Sequence, residues 1–275
     1  MTRPFVLLQR MLPQHALSRV LGRVAASERR WLAQSCIRAF ARGYGIDLAD
    51  AERTRPDDYK SFNDFFTRRL KPEARGLDPD PDRLVCPADG VVSQAGRLTE
   101  GQLVQAKGQR YALDDLIGRS GARYLGGDFV TIYLAPRDYH RVHLPLGGRL
   151  QQTTALPGEL FSVNATTAQT VPGLFCRNER LVCEFETRAG GMLVILVGAL
   201  IVASIETVWG GPLSPYRTRQ DDHWDLAFER GAEIGRFLLG STVIVVTEPG
   251  RLALARDLTE GRAVRMGTAI GAVTR

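Results

Sequence analysis

The chain has 275 residues, 44% of them apolar and 24% charged, and carries a formal net charge of +6. That length and balance belong to an ordinary globular protein with room for one large domain, or a domain plus a helical appendage, and exclude disorder as the dominant state. The charge is uneven: residues 1–45 hold eight arginines against one acid, Glu28, a sum of +7, so the remainder sums to −1.

Residues 5–45 read as helical, with Leu17, Val20, Leu21 and Val24 on one stripe and Arg19 and Arg23 on another. Such a basic amphipathic segment suits the headgroup layer of an anionic bilayer; a helix packed on the protein's own body gives the same pattern. Residues 46–83 form a polar connector. Within it Ser61-Phe62-Asn63-Asp64-Phe65-Phe66 predicts a short helix capped by Ser61, with Asp64 completing a capping box and the aromatics docked on the core. No small-residue cleavage site follows an apolar run near Met1, so no secretory signal is expected.

From Leu84 onward short β-branched runs alternate with Gly, Pro, Asn and Asp. Gly90-Val91-Val92, Phe129 to Leu134, Leu181 to Phe185, Met192 to Val197 and Thr242 to Val246 are strand signals. The longest uncharged apolar stretch, Met192 to Ile205, is too short for a spanning helix, which needs about 20 residues, and reads as a buried strand pair. The fold class expected is α+β, mainly β: a helical N-terminal segment, then a sandwich or barrel body. The cysteines Cys36, Cys86, Cys176 and Cys183 form no C-x-x-C pair and read as reduced packing residues, with no metal site expected.

Three separated elements can carry chemistry: Asp89 in Pro87-Ala88-Asp89-Gly90, His140 and His143 in Tyr139-His140-Arg141-Val142-His143, and Ser241 in Leu239-Gly240-Ser241-Thr242. Each has an ordinary explanation as turn, structural histidine or strand entry. On one extended strand the two imidazoles would face opposite sides, although Pro136 and Pro145 bracket them and a turn could bring them together. As a set, a serine, an imidazole and a carboxylate are the parts of an activated nucleophile.

The Gly240-Ser241-Thr242 step resembles the processing site of bacterial phosphatidylserine decarboxylases. The resemblance extends in family order through Phe62 to Arg68, Pro87 to Gly90, Tyr139 to His143, Gly158 to Asn164, Arg177 to Arg180 and Gly231 to Phe237. It implies a pyruvoyl enzyme that cleaves itself between Gly240 and Ser241, leaving a large chain (1–240) and a small chain (241–275). Ser241 would be the nucleophile, His143 its base and Asp89 the orienter of that base. The cofactor would be a covalent pyruvoyl group made from Ser241, which forms a Schiff base with the substrate amine and accepts the electrons released by decarboxylation. His140 would transfer the proton to the former α-carbon. The resemblance further implies two carrier-like halves, similar to biotinyl and lipoyl domains.

The expected partners are phosphatidylserine in an anionic membrane, the two chains of one precursor, and further copies of the processed pair in a homo-oligomer, with no nucleic acid. Residues 1–55 would dock peripherally on the cytoplasmic face of the cell membrane and residues 56–275 would form the catalytic domain. A serine hydrolase using Asp89, His143 and Ser241, or a non-catalytic lipid-binding β module, are the rival readings; the first predicts an intact chain, and the second that Ser241→Ala changes neither chain length nor any activity.

Overall fold

The computed structural model describes residues 9, 14–199, 205–211, 215–238 and 241–274. Helices α1 (Gln14–Ala26) and α2 (Arg30–Tyr44) lead the chain. Gly45 ends α2 in the left-handed conformation, φ 61°, which a residue without Cβ adopts freely. Helix α3 (Phe62–Phe66) is capped as expected on one side, the Ser61 hydroxyl accepting from the Asp64 amide at 3.2 Å. The other half of the box is displaced: the Asp64 carboxylate accepts from the Lys60 amide and is clamped by Arg53.

The aromatics of α3 do not enter the main core. Phe62, Phe65 and Phe66 are buried with Ala25, Ile37, Leu48 and Tyr59 in a second, N-terminal cluster, where Phe40 meets Phe62 edge-on. This cluster reaches the body through Phe66, whose ring lies 4.0 Å from that of His140.

The body is built from strands β1 (Arg83–Val85), β2 (Gly90–Arg97), β3 (Gln102–Ala106), β4 (Gln109–Ala112), β5 (Asp128–Leu134), β6 (Arg141–His143), β7 (Gly148–Leu156), β8 (Arg180–Thr187), β9 (Gly190–Val197), β10 (Ile205–Thr207), β11 (Gln220–Phe228), β12 (Glu233–Phe237), β13 (Ser241–Thr247), β14 (Leu252–Leu254), β15 (Ala263–Val264) and β16 (Ala269–Val273). Eight of them form one sheet in the order β11-β7-β8-β9-β13-β5-β2-β15, while β1-β16-β14 and β10-β12-β6 form two three-stranded sheets and β3-β4 a hairpin. The protein is therefore mainly β within an α+β class, but the large sheet is open, and the barrel alternative is corrected by this strand order.

Periodicity explains where each strand sits. Every residue of β13, Ser241 to Thr247, is buried, as a continuous β-branched run requires when a strand is covered on both faces. By contrast β11, at the edge, alternates exposed and half-buried residues and carries Asp221, Asp222 and Asp225, charges that discourage edge-to-edge pairing. Of the stretch Met192 to Ile205, β9 holds residues 192–197 and Ile205 opens β10 in a different sheet, while residues 200–204 lie outside the described residues. The four cysteines are free thiols. Among the described residues no helix is long and apolar enough to cross a membrane.

Candidate active site

Asp89 stands in the turn that feeds β2. Gly90 must follow it, because a Cβ there would lie 2.3 Å from the Tyr133 carbonyl oxygen on β5. The turn is tied to β6 by the His143 amide, which donates to the Pro87 carbonyl at 2.8 Å. The sequence thus brings Asp89 and His143 into one neighbourhood from positions 54 residues apart.

The Asp89 carboxylate does not bond to His143 in this structure. It accepts two hydrogen bonds from Nε of Arg75, at 3.0 Å each, one from Nη2 at 2.5 Å, and one from the Met266 amide at 2.9 Å. Arg75 extends this pairing to Asp50 through Nη1 at 2.9 Å, tying the connector to the body. Hydrogen bonding to Asp89 raises the Arg75 pKa, so the guanidinium is a permanent charge. Asp89 acts on His143 through its field, favouring the charged imidazole, rather than through a shared proton.

The tautomer of His143 follows from its neighbours. Nδ1 lies 2.8 Å from the Gly231 carbonyl, which can only accept, so Nδ1 carries the hydrogen. Nε2 lies 3.0 Å from the Tyr139 hydroxyl and presents its lone pair to it. Burial raises the Tyr139 pKa, keeping that hydroxyl protonated and able to donate. Gly231, with φ 80°, provides the left-handed turn that aims its carbonyl at the ring. Desolvation lowers the His143 pKa, outweighing the Gly231 hydrogen bond and the carboxylates of Glu233 and Asp89. The His143 imidazole therefore rests neutral, with the lone pair of Nε2 turned to the Tyr139 hydroxyl.

His140 is fully buried at the end of the loop leaving β5. Its Nδ1 lies 2.8 Å from the Asp138 carbonyl and its carbonyl accepts from the Phe237 amide at 3.0 Å. Burial lowers its pKa to about 3, the nearby charge of Arg68 adding to the effect, so this imidazole is neutral throughout the physiological range. The two rings have different neighbours, Phe66 for His140 and Tyr139 for His143.

Ser241 opens β13, in register with Leu134 of β5. It is fully buried, and its Oγ has no hydrogen-bond partner among the described residues. Gly240 lies outside the described residues. Four contributors to the site went unremarked as such in the sequence: Arg68, Arg75, Tyr139 and the Gly231 carbonyl. Three of them fall within the family-like segments, but only the folded contacts show what they touch.

Known proteins match nearly the whole chain. The family model described as phosphatidylserine decarboxylase matches residues 62–272, and a second, described as PSD, matches residues 4–45. A phosphatidylserine decarboxylase proenzyme of Acinetobacter baumannii is 50% identical over 97% of this chain and 95% of its own. Those of Methylococcus capsulatus, 48% identical over 97% and 96%, and Azotobacter vinelandii, 49% identical over 98% of each, are similarly close. With half its residues shared over almost its entire length, and with the family model spanning its β body, the chain belongs to the phosphatidylserine decarboxylase family.

Proposed function

We propose that this chain decarboxylates phosphatidylserine to phosphatidylethanolamine after converting Ser241 into a pyruvoyl group. The observation that carries the reading is Ser241 itself: a buried hydroxyl with no partner among the described residues, at the first position of a central strand and directly after Gly240. Converting this side chain forfeits no hydrogen bond of Oγ, and burial shields a reactive carbonyl from water, so the residues present fit the group.

Maturation begins with Oγ attacking the Gly240 carbonyl carbon. The C–N bond breaks, the Ser241 nitrogen takes a proton, and an ester links the two halves. His143 Nε2 is the atom able to take the hydroxyl proton. Because Tyr139 holds that lone pair and Oγ is unbonded, the resting geometry precedes attack, as is common in enzymes before their reacting atoms tighten. Loss of the Cα proton and the ester oxygen then frees residues 1–240 and leaves dehydroalanine, whose hydrolysis gives the pyruvoyl group and ammonia.

The pyruvoyl carbonyl supplies an electron sink joined to the substrate amine. The chain's own residues orient the headgroup, exclude water and return a proton, the last assigned to His140. Since His140 rests neutral, it can donate only after a negative charge enters its surroundings. Intact-mass measurement of purified protein tests the whole reading. Two chains are expected, cut after Gly240, with a small chain whose N-terminal residue has lost the mass difference between serine and pyruvoyl; a single unbroken chain that still decarboxylates lipid overturns it.

The N-terminal segment is assigned to peripheral docking on an anionic membrane, at the cytoplasmic face. Supporting this, the apolar stripe of α1 is not sunk into the body: Leu17, Leu21 and Val24 are half-buried and Val20 is exposed. Trp31, beside Arg29 and Arg30, is 68% exposed, a placement suited to a headgroup layer. Arg19, Arg23, Arg29 and Arg30 are exposed and form no ion pair among the described residues. Near an anionic surface each basic residue contributes about 1 kcal/mol. Replacing these four with glutamate should weaken binding to phosphatidylserine-containing vesicles by on the order of 100-fold or more, while self-cleavage continues. Sedimentation with vesicles reads the first and a denaturing gel the second.

A further inference from the structure

We propose that Arg68 is a substrate-binding residue whose free Nη1 takes a phosphodiester oxygen of the lipid headgroup beside His140. The inference rests on the decarboxylase reading above and adds to it the group that holds the anion.

Arg68 is 5% exposed. Its Nη2 donates to the carbonyls of Arg137 at 3.0 Å and Asp138 at 3.4 Å. The Asp138 carbonyl is the same oxygen that accepts from His140 Nδ1. The guanidinium and the imidazole therefore converge on one atom, and each keeps a buried nitrogen unused: Arg68 Nη1 and His140 Nε2 have no partner among the described residues. The loop they grip leaves β5 immediately after Leu134, the residue in register with Ser241. The loop that both side chains grip therefore starts from the strand end paired with Ser241.

A buried guanidinium normally meets a carboxylate or saturates its donors. Arg68 does neither. It forms no ion pair among the described residues, and burial lowers its pKa, with Asp89 and Asp138 acting only at a distance. Arg180 is the control within the same molecule. It too is buried without a paired acid, yet its donors reach the carbonyls of Leu116, Cys176, Asn178 and Asp115, which makes it a clamp of the backbone. Arg68, held by two carbonyls at Nη2, lying over the Phe65 ring and bare at Nη1, is arranged to receive an anion.

The serine phospholipid headgroup brings two anions. The carboxylate loses its charge as CO2 departs, so a guanidinium on it would favour the ground state over the transition state. The phosphodiester keeps its charge throughout and can be held from binding to release. Its arrival also places negative charge next to His140, shifting that imidazole toward the protonated form a proton donor needs.

The test uses matured enzyme, with dihexanoyl phosphatidylserine as substrate and dihexanoyl phosphatidylethanolamine, which has the phosphodiester but no carboxylate, as inhibitor. In Arg68→Gln the KM should rise on the order of 10- to 100-fold, as for loss of a charged hydrogen bond, with kcat changing less. Inhibition by the ethanolamine lipid should weaken by the same factor, and Arg68→Lys should recover part of both. An unchanged KM overturns the proposal. A raised KM with undiminished inhibition by the ethanolamine lipid overturns the phosphodiester assignment and moves Arg68 to the carboxylate. If Arg68→Gln does not mature, titrating dihexanoyl phosphatidylethanolamine into Ser241→Ala and Ser241→Ala/Arg68→Gln precursors gives the answer: equal affinity sinks the idea. Failure of the wild-type chain to decarboxylate phosphatidylserine would instead sink the reading beneath it.

Discussion

Ser241→Ala protein is expected to remain one chain of 275 residues with no decarboxylase activity above background, a loss on the order of 10^6-fold or more. The fold should survive the change. The Oγ of Ser241 has no partner among the described residues, so its removal leaves no buried group newly unsatisfied, and alanine fits the same buried strand position. Unaltered thermal unfolding together with an uncut chain on a denaturing gel separates loss of chemistry from loss of structure. A variant that is still cut at the same bond would mean that another nucleophile breaks it.

The second large effect is expected at His143. Replacing it with alanine removes the imidazole proposed to take the serine proton through Nε2, and self-cleavage should slow by roughly 10^2- to 10^4-fold. Precursor should accumulate in a time course after synthesis. The pH dependence of wild-type cleavage carries the finer test. A base works in its unprotonated form, so the rate falls as pH drops through the pKa in the folded chain. Burial lowers that pKa against the opposing influence of the Gly231 carbonyl, Glu233 and Asp89, with Arg141 reinforcing it. The acid limb of the cleavage rate should therefore lie below the ordinary histidine range near 6.5. A limb above that range would show that the charge of Asp89 outweighs desolvation at this ring.

Much of the fold is legible in the residues because short-range rules govern it. Runs such as Thr242 to Val246 and Phe129 to Leu134 are β-branched and apolar, and they form adjacent strands of the large sheet. The cap on α3 is equally local. In the stretch from Met192 to Ile205 composition reports burial and not pairing: its described ends are both buried, but in different sheets. The aromatics of α3 mislead for a related reason. Their apolarity predicts burial, while only the packing of α1 and α2 decides which cluster they join.

The site was legible as a set of chemical groups and not as a set of contacts. Asp89, His140, His143 and Ser241 are read from their segments, but the partner of Asp89 is an arginine 14 residues earlier, and the imidazole of His143 is oriented by a carbonyl 88 residues later. A backbone carbonyl has no signature in a sequence. Arg68 shows the same limit. Its meaning comes from a donor left unused, and an unused donor exists only relative to a folded surrounding.

The position of β13 has a consequence for the life of the molecule. It lies between β9 and β5, while β14 and β16 join β1, and β15 closes against β2. A cut before Ser241, as proposed, would therefore detach nothing, since residues 241–274 are woven through two sheets. A prosthetic group made from Ser241 could not be swapped out as a diffusible coenzyme can. On that reading each polypeptide would make its catalyst once, and renewal would require synthesis of a fresh molecule.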